Sequence, residues 1–342
     1  MRLRLLLLAL ALSLLPAGLQ PAAAQTPGES CPRLTGLFLQ PLEAHRAWSR
    51  ADWTAFFEEL AAMRMETLVL QWSGLDRFTV IDADPADSLP EPMIHRLLDA
   101  AEAAGIRVWI GLVYDPDYWT RIQREAEQLE VYLRRHLLAN RELVERLLNE
   151  AGGHPAFAGW YLTEEIEDVT WQDAEKRALL RTHLQALGAE IRSRDPQRPI
   201  AISGFTGARL DPAALAALWR ELLEGSAVDL LLLQDGFGVQ PMLPEDLEVY
   251  LEALDRETRA AGLRLGVVTE LFTQTGGPPL DEDAFAAEPA SLERIVPQLR
   301  AAAAWSALRL GFSAEYATSA AGRPSAAALQ RRYLAWLGEG CP

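Results

Sequence analysis

The feature that most constrains the fold of this chain is a rhythm of eight short apolar runs, each followed by a helix-patterned stretch. The runs are Leu34–Gln40, Glu66–Trp72, Arg107–Val113, the stretch from Phe157, Pro199–Ser203, Val228–Leu233, Arg264–Glu270 and Leu308–Phe312. Several are continuously apolar, as in LVLQW and VDLLLL, which is the mark of strands buried on both faces. Between them, caps and stops frame the helices. Ser49 or Asp52 caps a helix from about Trp53, and Gly105 and Gly262 stop those that begin near Pro92 and Pro244. Other helical stretches cover about 118–151 in two pieces, 171–193, 212–225, a segment up to about 307, and 324–337. Such alternation implies parallel pairing, and eight units in 342 residues predict an α/β fold, a single (β/α)8 TIM barrel spanning 25–342. An open doubly wound sheet is the competing arrangement; against it, no GxGxxG follows the first strand and no P-loop is present.

The ends of the chain carry separate information. Residues 1–24 combine a basic start, an apolar run and an Ala-rich close, the pattern of a signal peptide that directs a protein to a secreted or periplasmic location. Cys31 and Cys341 are the only cysteines, and an oxidising compartment allows them to pair. In a closed barrel the first strand and last helix are neighbours, so a Cys31–Cys341 disulfide fits the fold. The formal charge is −16, and −18 once Arg2 and Arg4 leave with the signal. That balance argues against nucleic acid or an anionic membrane as partner and leaves a neutral carbohydrate open. Oligomeric state is not legible.

In a parallel barrel, chemistry is done where strands end. These ends carry Gln40, Gln71 and Trp72, Tyr114 and Asp115, Glu164 and Glu165, Phe205, Gln234 and Asp235, Glu270, and Glu315 and Tyr316. Alternation along FAGWYLTEE sends Ala158, Trp160 and Leu162 outward, and Gly159, Tyr161, Thr163 and Glu165 inward. By the same rule Gly311, Ser313 and Glu315 are expected on the inward face of strand eight, and Trp109 and Trp160 are expected to pack on helices. Amides, carboxylates and aromatics suit a sugar, whose hydroxyls need polar partners and whose ring stacks on an aromatic face. No histidine lies at a strand end; His95, His136 and His183 fall in helical stretches, which argues against a His-ligated metal. No cofactor is called for. A carboxylate-bound Mg²⁺ or Ca²⁺ at Asp235, Glu270 and Glu315 is a competing reading.

Hydrolysis of a glycosidic bond needs two carboxylates, a proton donor and a nucleophile or base. Glu165 and Glu270, on strands that face each other across the barrel, are the expected catalytic pair. Gln40, Gln71, Trp72, Tyr114, Asp115, Trp119, Tyr161, Gln234, Asp235, Glu315 and Tyr316 are the expected substrate contacts. Separations of about 5 to 5.5 Å imply retention and about 6.5 to 9.5 Å inversion. A barrel that binds an exopolysaccharide without cleaving it is the alternative.

One Glu after strand four and another after strand seven resembles clan A of the retaining glycoside hydrolases. That likeness implies acid/base and nucleophile roles for Glu165 and Glu270. It departs at Glu164, where the clan usually has Asn. The segments LVLQW (68–72), IGLVYDPDYW (110–119), GWYLTEEI (159–166), LLQDGFG (232–238) and TELF (269–272) resemble a secreted bacterial barrel family known as domain of unknown function 4434. This resemblance implies a glycosidase-like barrel and, since the acid precedes Ile in its motif, selects Glu165 over Glu164.

Overall fold

The structure, a computed structural model, describes residues 31–76, 78–82, 91–239, 243–277 and 280–341. The signal-like segment 1–24 and much of the acidic loop after the second strand lie outside the described residues. Eight parallel strands close into a barrel: β1 (Gly36–Leu39), β2 (Thr67–Leu70), β3 (Arg107–Gly111), β4 (Phe157–Ile166), β5 (Ile200–Phe205), β6 (Leu230–Gln234), β7 (Arg264–Glu270) and β8 (Arg309–Phe312). Each pairs with its sequence neighbours, and β8 returns to β1 through Gly36 opposite Leu310. The helices that follow are α1 (Arg50–Ala62), α2 (Met93–Ala103), α3 (Ala126–Ala151), α4 (Ala174–Arg194), α5 (Pro212–Leu223), α6 (Pro244–Ala260), α7 (Leu292–Ala303) and α8 (Pro324–Gly338). Side chains of Ser49, Asp173, Asp211 and Ser291 cap α1, α4, α5 and α7, accepting from backbone N–H groups that a helix start leaves free.

Two apolar layers hold this together. Outward strand residues such as Leu37, Leu68, Trp160, Leu231 and Val267 pack against the helices. A smaller set, Phe38, Val69, Trp109, Tyr161, Ala201, Leu230, Leu232, Val268 and Leu310, fills the barrel itself. Trp160 is on the outer side as expected, its Nε1 donating to Asp195 at 2.9 Å. Trp109 is not. It lies inside the barrel, where Gly159 on β4 makes room: a Cβ at that glycine would stand 2.6 Å from the indole. Cys31 and Cys341 are bonded, Cα to Cα 5.1 Å, tying the lead-in of β1 to the end of α8.

At the C-terminal ends of the strands, two additions shape the mouth. Gly74–Leu75, Phe78–Thr79 and Val113–Tyr114 form a small sheet beside β2 and β3. After β7, Phe272–Gly276 and Ala286–Pro289 pair as antiparallel strands. Among the described residues no helix is long and apolar enough to cross a membrane.

Candidate active site

The last turn of β4 leaves the sheet's regular register. Leu162 pairs with Ile202, but Ile166 pairs with Gly204, so four residues of β4 advance against two of β5. Extra residues of this kind bend a strand and re-aim its side chains. Glu165 turns into the mouth, where its Oε1 accepts from Gln234 Nε2 at 3.2 Å and from Gln71 Nε2 at 3.4 Å. Gln71 Oε1 accepts in turn from Gln40 Nε2 at 2.9 Å, and Gln234 also reaches Ser203 Oγ at 3.4 Å. Four strand ends thus meet on one carboxylate through neutral amides. Burial raises the pKa of Glu165, and the bond from Gln234 offsets part of the rise.

Opposite, Glu270 ends the inward series of β7 above Val268 and is buried. Its Oε2 accepts from the Gly238 N–H at 2.5 Å. Position 238 must be glycine for that approach, since a Cβ there would lie 2.7 Å from the same oxygen. Burial comes first and the nearby charge of Asp235 second in driving the pKa of Glu270 up; the charge of Glu165 adds to the rise. Asp235 is raised too, chiefly by burial. Arg294 on α7 holds the turn after β7, donating from Nη2 to the carbonyls of Glu270 at 2.7 Å and Phe272 at 2.6 Å.

Aromatic side chains flank the carboxylates on both sides. Tyr114 stacks on Trp72 with centroids 4.7 Å apart, and Trp119, exposed, leans on Phe205 at 5.7 Å. Toward β8, Phe272 packs on Tyr316 at 5.3 Å and on Phe285 at 5.8 Å. Asp115 is tied to Arg121 Nε at 2.7 Å on the mouth's outer edge.

Four expected contacts need correction. Tyr161 is fully buried within the barrel, its hydroxyl 2.6 Å from Ser203 Oγ, below any sugar. Asp235 is fully buried on the outer side of β6, bonded by Gln298 Nε2 at 2.6 Å and the Glu270 N–H at 3.2 Å, so it supports Glu270 and does not face the mouth. Trp72 is covered by Tyr114 and donates to the Pro41 carbonyl at 3.1 Å, which leaves Tyr114 as the available face. Glu315 is not on the inward face of β8: Leu310 and Phe312 point inward, and Glu315 sits in the short helix Ala314–Ala317, paired with Arg323 at 2.7 Å. Asp235, Glu270 and Glu315 therefore do not converge as the metal reading requires, and among the described residues no cluster of His, Cys, Asp and Glu is arranged to hold an ion.

Three supporting groups carry no sequence signal of their own. Asp168, fully buried, accepts from Thr206 Oγ1 and from the backbone N–H groups of Gly207, Arg209 and Leu210 at 2.7–3.1 Å, fixing the loop after β5. Glu167 is buried and accepts from the Thr170 N–H at 2.8 Å. Glu164 points away from the mouth to His183 on α4 and His136 on α3.

Comparison with known proteins agrees with this architecture. The chain is 29% identical over 251 residues to the uncharacterized protein YbcH of Escherichia coli (strain K12), covering 71% of this chain and 78% of that one. Among solved structures, a candidate alpha-L-fucosidase from Bacteroides thetaiotaomicron superposes with a TM-score of 0.72 at 17% identity, covering 93% of this chain and 99% of that one. An endo-1,4-beta-mannanase from Rhizomucor miehei gives 0.52 at 11%, covering 82% and 85%. At such identities the structural likeness speaks for a shared glycosidase-like barrel fold. A family model matches residues 34–326, and the chain belongs to the family described as Domain of unknown function (DUF4434).

Proposed function

We propose that the chain is a glycoside hydrolase acting on an oligo- or polysaccharide through Glu165 and Glu270. What supports this reading is that two carboxylates from non-adjacent strands, Glu165 on β4 held by Gln71 and Gln234 and Glu270 on β7 held by the Gly238 N–H, stand at the same end of the barrel. Glu165, its pKa raised by burial, is the proton donor to the glycosidic oxygen. Glu270, which must first give up its own proton, attacks the anomeric carbon as the bond to the leaving group breaks. Glu165, now a carboxylate, then takes a proton from water, whose oxygen displaces Glu270 from the sugar. Gln40, Gln71 and Gln234 orient Glu165 and the sugar hydroxyls, and Tyr114 and Trp119 offer ring faces.

The disulfide supports an oxidising compartment, in keeping with a secreted or periplasmic enzyme. Incubation with a panel of bacterial and plant polysaccharides, followed by NMR of freshly released sugar, tests the proposal. Release with retained anomeric configuration is expected. Saturable binding of a glycan without release would replace it with the non-catalytic barrel.

A further inference from the structure

Residues 163–165 of β4 have no partner in the register with β3, whose last pair is Gly111 with Tyr161, or with β5, where pairing stops at Leu162 and resumes with Ile166 opposite Gly204. What holds them is side chains. Thr163 Oγ1 donates to the Val113 carbonyl, and the Tyr118 hydroxyl donates to the Glu165 carbonyl at 2.7 Å. Between these, Glu164 Oε1 receives His183 Nε2 at 2.6 Å and lies 3.5 Å from His136 Nε2, all three side chains buried. The His136 ring stacks on Tyr132, over which Arg121 sits, and Arg121 pairs with Asp115 at the mouth. A carboxylate and two imidazoles are a costly thing to bury for packing alone.

We propose that Glu164, His183 and His136 form a positioning cluster that fixes the unpaired end of β4 and so aims Glu165 into the mouth. The cluster grips the residue next to Glu165 from behind, on the helix side, while Gln71 and Gln234 hold the Glu165 carboxylate from the front. Removal of the rear anchor lets the segment relax toward solvent, and the burial that raises Glu165 is lost. The charged or titratable groups around the cluster are Tyr132 on α3, Tyr118, and Asp115 with Arg121 on the loop after β3. None of them replaces the bond from His183. This inference rests on the acid/base reading of Glu165, and its test separates the two.

The test is a ¹³C NMR titration of the full chain labelled at glutamate carboxyls, with Glu165 identified by its loss in Glu165→Gln. In wild type, Glu165 titrates above the usual carboxylate range. In His183→Leu it falls by about half a pH unit or more, because the carboxyl regains water. In His183→Gln, which keeps a side-chain N–H donor, it returns toward wild type. An unchanged Glu165 titration in folded His183→Leu overturns the positioning role. Should that variant fail to fold, Glu164→Gln, which keeps the volume, is read the same way. Failure of both to fold reduces the cluster to a folding element and overturns the proposal as well. A wild-type Glu165 in the ordinary range instead removes the acid/base reading, while any dependence on His183 remains measurable.

Discussion

Two strand ends in this barrel solve the same problem in opposite ways. Each corner of the site has one carboxylate facing the mouth and a second behind it, toward the helices: Glu165 with Glu164 on β4, and Glu270 with Asp235 across β7 and β6. Behind Glu165, burial would raise the pKa of Glu164, but His183 and His136 outweigh it and bring the group down to about 2. Behind Glu270, Asp235 is met by a neutral amide, Gln298, and by backbone N–H groups, so its negative charge falls on Glu270. The chemistry of the hidden partner therefore decides where protons sit in the open site.

The pH dependence of stability follows with opposite signs. Glu164 is depressed from 4.5 to about 2, so its contribution is present above pH 4.5 and disappears as pH falls toward 2. Glu270 and Asp235 are raised, so the folded state favours their protonated forms and stability is lost as pH climbs through their folded pKa values.

The largest expected break in this comparison is His183→Leu, which leaves a buried carboxylate with its main partner gone and costs about 3–5 kcal/mol at neutral pH, read from urea unfolding. A loss under about 1 kcal/mol would mean that the rear of β4 does not depend on the His183–Glu164 bond. Next is Gly238→Ala, whose methyl displaces either the loop or the Glu270 carboxyl and should lower kcat by roughly 10²-fold, as loss of one aligned group does. Wild-type turnover there would show that Glu270 does not depend on its N–H partner. Asp235→Asn sharpens the contrast: with the charge gone, Glu270 ionises more easily, and the acid limb of the activity profile moves down by about one pH unit. The same change should stabilise the fold above neutral pH, whereas Glu164→Gln should destabilise it. Smallest is Trp119→Ala, expected to raise KM a few-fold with kcat unchanged, as loss of an exposed stacking face implies.

Much of the fold was legible because burial on both faces writes itself into the chain as runs such as LVLQW and VDLLLL. What was not legible depends on pairs of strands. Trp109 faces inward only because Gly159, fifty residues on, gives it space. Gly311 looks like a small inward residue, yet it faces out, where Leu37 and Leu271 leave no room for a side chain. Glu165 was read as inward from alternation along β4, although that strand leaves regular register after Leu162, and Glu270 was named from its position at the end of its strand. Asp235 was misread because polarity near a strand end says nothing about which side of the sheet a group faces, and Tyr161, inward as alternation predicts, lies too deep in the barrel to reach the mouth. His136 and His183 lie 47 residues apart on different helices, and nothing local links them to Glu164.

The central claim is that Glu165 and Glu270 act together on one glycosidic bond. Sugar release by Glu165→Gln and Glu270→Gln, measured beside wild type on a glycan it cleaves, tests this most directly. The account predicts a loss of at least about 10²-fold in each variant, with unfolding transitions close to wild type. Release at the wild-type rate by either folded variant would contradict it.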